Sequence, residues 1–438
     1  MSFFRVWASA LVLIGLSVGA GRVSALDAQH PLRHSRTTEP HLTEPHRTAH
    51  HTAGLATRRS TTARAGSAYH GASHGAVGAA HAGHWAYSAA RGGVRRVAYP
   101  RSRHHYYERF TASSFAKGDI FAGDVTAGED PVVRQAAIDA MGDMNGTAVV
   151  IDPSNGRILA MVNQKLALSP GAEPCSTIKL TVAMAALSEG LVTSDTPVKL
   201  AGFRMNMTQA LAKSNNLYFE ELGRELGFER VRHYANQFGL GELAGYNIAG
   251  EQLGVYPDQE LPASQGGVGR MCSFGQGVSL TPLQLGAFVA AIANGGTLYY
   301  LQHPTTPEEA AALQPKIKRT LDIARYVPDM EDGMAGAVEY GTARRLRANF
   351  HELPVFGKTG TCSDNGTRFG WFAAYSDSPQ GSLVTVFFLE GGRPTFGPRA
   401  AELTGEFYQN LWDRNWFASK GPQDAAAIPR VPPQQDLP

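Results

Sequence analysis

Three short spacings in this sequence place groups that could perform nucleophilic chemistry: Ser176-Thr-Ile-Lys179, Ser214-Asn-Asn216 and Lys358-Thr-Gly360. A serine hydroxyl is a poor nucleophile until a neighbouring base accepts its proton, and a desolvated lysine is such a base once its neutral form is favoured. On a helix, positions i and i+3 share a face, so Lys179 can set its amine beside the Ser176 hydroxyl. At a helix start the Ser176 N–H lacks an intrahelical acceptor and can help bind an oxyanion. Ser214 can relay a proton to a leaving group, and Asn216 can hydrogen-bond both Lys179 and a substrate amide. On a strand, Lys358 supplies positive charge, Thr359 a hydroxyl for a carboxylate, and Gly360 room for close backbone approach. The Thr361 N–H is then a second oxyanion donor. Each spacing alone is common; their order and placement make Ser176, Lys179, Ser214, Asn216 and Lys358 a candidate acyl-transfer set, with Thr359, Gly360 and Thr361 binding substrate.

Such a set needs a helix start, a helix–loop junction and a strand around one cleft, and the sequence supplies each. Asp130-Pro131 opens a predicted helix to about residue 144, with Val133, Ala137, Ile138 and Met141 on one face and Gly142 near its end. Residues 146–162 form two β-rich runs around Asp152-Pro-Ser-Asn-Gly156, which predicts a hairpin. A helix over 176–189 stops at Gly190, and a largely helical stretch follows to about 294. β-rich runs return at 355–361, 368–375 and 383–389, before a C-terminal helix over 399–412. Strands first, helices in the middle and strands last imply an α+β domain whose sheet is closed by both chain ends around a helical insertion.

The remaining sequence is of another kind. Of 438 residues, Lys plus Arg is 40 and Asp plus Glu 38, a net charge of +2 that does not suggest a nucleic-acid binder. Residues 22–110 nevertheless hold thirteen Arg and no Lys against Asp27, Glu39, Glu44 and Glu108, together with twelve of the fifteen His. Residues 1–25 read as a signal peptide: Arg5, an apolar run over 6–20, then Val23-Ser-Ala25. An uncleaved anchor is the alternative, although fifteen helical residues would rise only about 22 Å against a hydrocarbon core of about 30 Å. Export to a periplasmic or other extracytoplasmic space follows. The segment 26–112 reads as a disordered basic His/Ala/Arg-rich tether, poor in Leu, Ile and Val and without a period of 2 or 3.6. Its Arg content allows weak contact with anionic envelope polymers, and His50-His51 and His104-His105 form no recognisable ligand spacing. The folded domain spans 113–420, and 421–438 reads as a flexible tail.

The region from about 130 to 412 resembles the transpeptidase domain of penicillin-binding proteins. Glu173-Pro-Cys-Ser-Thr-Ile-Lys179 is similar to that family's E-P-G-S-T-F-K, and Ala210-Leu-Ala-Lys-Ser-Asn-Asn-Leu-Tyr-Phe219 to its A-L-x-x-S-x-N-x-x-F. Phe274-Gly-Gln-Gly-Val-Ser-Leu-Thr-Pro-Leu-Gln-Leu285, Ala290-Ala-Ile-Ala-Asn-Gly-Gly296, Gly357-Lys-Thr-Gly-Thr361 and Trp371-Phe-Ala-Ala-Tyr375 continue the match. The trio of motifs is shared with serine β-lactamases. The resemblance implies a five-stranded antiparallel sheet flanked by helices, with a largely helical subdomain inserted. It implies a serine D,D-transpeptidase that attacks D-Ala-D-Ala ends of peptidoglycan stem peptides without cofactor or metal and takes β-lactams as covalent inhibitors or substrates. A β-lactamase or D,D-carboxypeptidase is the alternative, and a penicillin-sensing module a lesser one. Glu242-Leu-Ala-Gly-Tyr-Asn247 does not match the E-x-x-x-N loop of class A lactamases, and Glu242 reads as a solvated turn residue. Only 38 positions separate Ser176 from Ser214, so the helical subdomain is expected to be trimmed near the site.

Three cysteines allow at most one disulfide, and no CxxC spacing suggests a zinc site. Cys175 stands where the family carries a small residue, and Cys362 lies four residues after Lys358. This pairing looks like that of class A carbapenemases, which implies a Cys175–Cys362 bridge; the alternative reads both as small core residues. It is compatible with strand alternation, which turns Lys358, Gly360 and Cys362 to one face. Cys272 is then a buried free thiol.

Overall fold

The computed structural model of the chain describes residues 111–393 and 395–419. The signal segment, most of the basic tether with its His pairs, and the C-terminal tail lie outside the described residues. The N–H of Thr111, the first described residue, donates to the Arg393 carbonyl at 2.7 Å.

Helix α1 (Pro131–Met141) forms where the sequence marks it: the Asp130 carboxylate accepts from the Val132 and Val133 N–H groups, and Gly142 ends it with φ of 55°. Its buried residues, Val133, Ala136, Ala137, Ala140 and Met141, make one apolar stripe. Strands β1 (Gly146–Asp152) and β2 (Arg157–Val162) follow as an antiparallel hairpin. In its turn the Asp152 carboxylate accepts from Ser154 N–H, and Gly156 adopts φ of 78° to donate back to the Asp152 carbonyl.

The middle of the chain is helical: α2 (Gln164–Ala167), a 3-10 turn at Cys175–Ile178, α3 (Lys179–Ser188), a β3–β4 hairpin (Val198–Leu200, Phe203–Met205), α4 (Met207–Lys213), α5 (Asn216–Leu226), α6 (Phe228–Gln237), α7 (Gly267–Phe274) and α8 (Pro282–Ala293). Next come β5 (Thr297–Tyr299), α9 (Pro307–Ala311), β6 (Ile317–Thr320) and α10 (Val327–Glu339), in a stretch to which the sequence reading assigned no elements. The described residues end with β7 (Val355–Asp364), β8 (Thr367–Ser376), β9 (Leu383–Gly391), α11 (Gly397–Asp413) and α12 (Trp416–Ser419).

The main sheet has the order β2-β1-β9-β8-β7, antiparallel throughout, so the first hairpin and the last three strands meet at β1 and β9. This is the expected five-stranded α+β sheet. One apolar core holds α1 and α11 against one face, with Phe387, Phe407 and Tyr408 at its centre. The second core seats α8 and α3 against the other face and continues into the helical subdomain. Helix α8 starts with a capping box between Thr281 and Gln284 and is buried nearly all round. It approaches so closely that a Cβ on Gly286 would meet Ile151 Cδ1 at 2.6 Å. Strand β7 is left at the sheet edge, facing the turn that carries Ser176.

The expected helix over 176–189 is divided. Ser176 sits in the 3-10 turn, and the α-helix begins at Lys179.

Candidate active site

Ser176 is presented by the tight turn Cys175–Ile178, which is anchored from below. The Thr177 hydroxyl and N–H both donate to the Pro174 carbonyl, at 2.7 and 3.1 Å, and Trp371 Nε1 on β8 donates to the Glu173 carbonyl at 3.0 Å. Cys175 has φ of 54°, in the left-handed region that disfavours a residue with a Cβ. Its Sγ lies at bonding distance from Cys362 Sγ, with Cα atoms 5.5 Å apart. Gly360 explains how close β7 comes: a Cβ there would lie 2.8 Å from the Pro174 carbonyl oxygen and 3.1 Å from Thr177 Cγ2. The close approach expected at this glycine is therefore made by the nucleophile turn itself.

Lys179 is fully buried at the start of α3. Its Nζ reaches Ser176 Oγ at 2.9 Å, Asn216 Oδ1 at 2.6 Å, Ser214 Oγ at 3.1 Å and the Ser214 carbonyl at 3.0 Å. An ammonium has three protons for these four oxygens and no lone pair; the neutral amine keeps two protons, and its lone pair can accept from a serine hydroxyl. Burial pushes the Lys179 amine down to about 7, against the pull of the Glu220 carboxylate. Near neutral pH a large fraction is thus the free amine, able to accept the Ser176 proton.

Ser214 closes α4 in the left-handed conformation, φ 53° and ψ 45°. Asn215 then caps α5, accepting from Tyr218 N–H at 3.0 Å, so one short junction ends one helix and starts the next. This junction lifts the Ser214 hydroxyl between two amines, because Lys358 Nζ also reaches Ser214 Oγ, at 2.8 Å. Lys358 is fully buried and donates in addition to the Thr359 carbonyl at 2.9 Å. Burial, and then the neighbouring Lys179, hold its amine well below the usual lysine range.

The structure thus joins Ser176, Lys179, Ser214, Asn216 and Lys358 in one hydrogen-bonded group. Lys358, Gly360 and Cys362 face the nucleophile turn, as strand alternation predicts. Thr359 and Thr361 project from the opposite face of β7. Thr359 Oγ1 lies 2.6 Å from Thr342 Oγ1, and Thr361 Oγ1 accepts from the Gly397 N–H at the start of α11 at 2.9 Å. Thr342 was not singled out from the sequence, and neither was the capping role of Asn215. Asn215 carried the usual signal of an N-cap residue before a helical run; Thr342 carried none.

Cys272 is the buried free cysteine. Glu242 departs from the reading of it as a solvated turn residue: its carboxylate is held by Lys318 at 2.8 Å and Arg319 at 2.5 Å, both on β6. These two cations hold its carboxyl below the usual range despite partial burial.

Residues 146–408 match the family model described as the penicillin binding protein transpeptidase domain. The chain is 29% identical over 317 residues to Stage V sporulation protein D of Bacillus subtilis, covering 60% of this chain and 48% of that protein. It is 28% identical over 369 residues to the peptidoglycan D,D-transpeptidase PbpA of Mycolicibacterium smegmatis, covering 65% of this chain and 71% of that protein. The chain therefore spans about half the length of the sporulation protein and more of PbpA. Among solved structures, penicillin binding protein 3 of Mycobacterium tuberculosis superposes with a TM-score of 0.53 at 23% identity, covering 65% of this chain and 77% of that one.

Proposed function

The chain belongs to the penicillin-binding protein transpeptidase domain family, and from that premise we propose that it is a peptidoglycan D,D-transpeptidase acting through an acyl-enzyme on Ser176. The observation that carries this reading is the placement of the buried Lys179 amine, lowered to about 7, at 2.9 Å from Ser176 Oγ.

The neutral Lys179 amine takes the Ser176 proton as Oγ attacks the carbonyl of the penultimate D-Ala in a stem peptide. The charge that develops on the carbonyl oxygen is met by the N–H groups of Ser176 and Thr361. The Ser214 hydroxyl, set between Lys179 and Lys358, passes a proton to the leaving D-Ala nitrogen as the C–N bond breaks. Asn216 holds Lys179 and accepts the substrate amide, while the Thr359 hydroxyl meets the terminal carboxylate at the β7 edge and the arriving anion favours the charged form of Lys358. The acyl group then passes to an amine of a second strand. A lactamase or carboxypeptidase would instead give it to water, and Glu242, tied up by Lys318 and Arg319, is not available as the activating carboxylate.

The Cys175–Cys362 disulfide and an extracytoplasmic location belong to the same proposal, since an exported wall enzyme works in an oxidising space that permits the bond. Among the described residues no helix is long and apolar enough to cross a membrane. Intact-mass measurement after incubation with a labelled penicillin tests the proposal. A long-lived adduct on Ser176, absent in Ser176→Ala, is expected, whereas rapid turnover to penicilloate identifies a lactamase.

A further inference from the structure

A carboxylate can only accept hydrogen bonds, so a threonine hydroxyl that binds it must spend its one proton on it. Thr359 Oγ1 has a second partner that bears on where that proton points, the Thr342 hydroxyl at 2.6 Å. Thr359 is only 4% exposed, and Thr342 is half-buried beside it.

The position of Thr342 is tightly fixed. It follows α10 by way of Gly341, where a Cβ would run into the Ala212 carbonyl oxygen. The Thr342 N–H donates to that same carbonyl at 3.1 Å, and the Ala343 N–H turns back to the Ala337 carbonyl at 2.8 Å. Ala212 lies in the last turn of α4, two residues before Ser214. Thr342 therefore spans the end of the helix that supplies Ser214 and the strand that supplies Lys358 and Thr359.

We propose that Thr342 is a positioning residue that donates to Thr359 Oγ1, turns the Thr359 proton toward the acyl donor's carboxylate, and so makes the site select donors that end in a free carboxylate. The alternative arrangement, Thr359 donating to Thr342, withdraws that proton from the ligand; an anion in the cleft favours the first. The inference rests on the acyl-donor reading above and adds a residue to it.

The test compares second-order acylation rates for benzylpenicillin and its methyl ester in wild type, Thr342→Val, Thr342→Ala and Thr342→Ser. Losing the neutral Thr342–Thr359 hydrogen bond that orients the Thr359 proton predicts about a fivefold slower reaction of the free acid in the Val and Ala variants. The ester rate should stay within about twofold of wild type, and Ser should restore the acid rate. Two hydroxyl-free variants keep the test open should one of them fold poorly by thermal melt. An unchanged acid rate, or equal losses for acid and ester, overturns the role of Thr342. Wild type that forms no Ser176 adduct with benzylpenicillin overturns the acyl-donor reading itself, and this inference with it.

Discussion

Reducing the proposed Cys175–Cys362 bond should lower the melting temperature of the folded domain, by an amount that follows from its place in the chain. The two cysteines are 187 residues apart in sequence. In the chain-entropy model a crosslink closing such a loop removes about 18 cal/mol/K from the unfolded ensemble, or about 5 kcal/mol at 25 °C, an upper figure because native strain subtracts from it. With an unfolding entropy of about 2.1 cal/mol/K per residue over about 300 residues, 5 kcal/mol corresponds to roughly 8 °C. A second effect of opposite sign resides at Cys175, whose left-handed backbone (φ 54°) costs a residue with a Cβ roughly 1–2 kcal/mol that glycine avoids. In reductant, Cys175→Gly should therefore melt about 2–3 °C above reduced wild type. Without reductant it should melt below oxidised wild type, having lost the bond. Scanning calorimetry of wild type, Cys362→Ser and Cys175→Gly, each with and without reductant, separates the two effects. Thiol titration of the unfolded, unreduced wild type should count one free cysteine, Cys272. Equal wild-type melting temperatures in both conditions, or three titratable thiols, would refute the bridge and the magnitude built on it.

Acylation should depend on pH through Lys179. Its amine must be neutral to take the Ser176 proton, so the rate should rise with pH through an inflection near 7, where burial has moved this group. Lys179→Ala should be slower by at least about 10²-fold and lose the inflection, and stopped-flow penicillin acylation from pH 5.5 to 9 would show a flat wild-type profile if another base serves. Gly360→Ala should impair acylation without touching any catalytic group, because its Cβ would meet the Pro174 carbonyl oxygen at 2.8 Å and push β7 off the nucleophile turn. Wild-type acylation and melting in that variant would mean that the strand and turn tolerate separation.

Much of this arrangement was legible in the sequence, for physical reasons that differ from element to element. The hairpin around Asp152-Pro-Ser-Asn-Gly156 and helix α1 behind Asp130-Pro131 are set by local chemistry, a carboxylate capping nearby N–H groups and a glycine or proline fixing φ, so neighbours in sequence suffice. The catalytic side chains were legible because their spacing is itself a structural constraint. Lys179 must lie one turn beyond Ser176, and Lys358, Gly360 and Cys362 must share a strand face. The assumption that an α-helix begins at Ser176 was too simple. Cys175 in the left-handed region bends the chain into a 3-10 turn, and regular winding starts only at Lys179. Helix α10 also left a trace that could have been used: Pro328 in its first turn, Asp329 beside it, then Met330, Gly333, Met334 and Ala337 at helical spacing.

Thr342 belongs to another category. No residue near it in sequence marks it, and its meaning comes from contacts with Ala212 and Thr359, elements far apart along the chain. The same holds for the lowered amines of Lys179 and Lys358. A lysine in a helix or strand is ordinarily solvated, and only the closing of α3, the α4–α5 junction and β7 around both side chains removes their water. Two buried amines meeting at the Ser214 hydroxyl would be an unfavourable core in a purely structural protein, since each disfavours the charged form of the other. The fold keeps them together through the left-handed turn at Ser214, the Asn215 cap and the close contact at Gly360, three backbone features none of which takes part in the chemistry. The burial these junctions enforce is what brings the Lys179 amine down to about 7 beside Ser176, so the packing of the junctions and the reactivity are one property of the site.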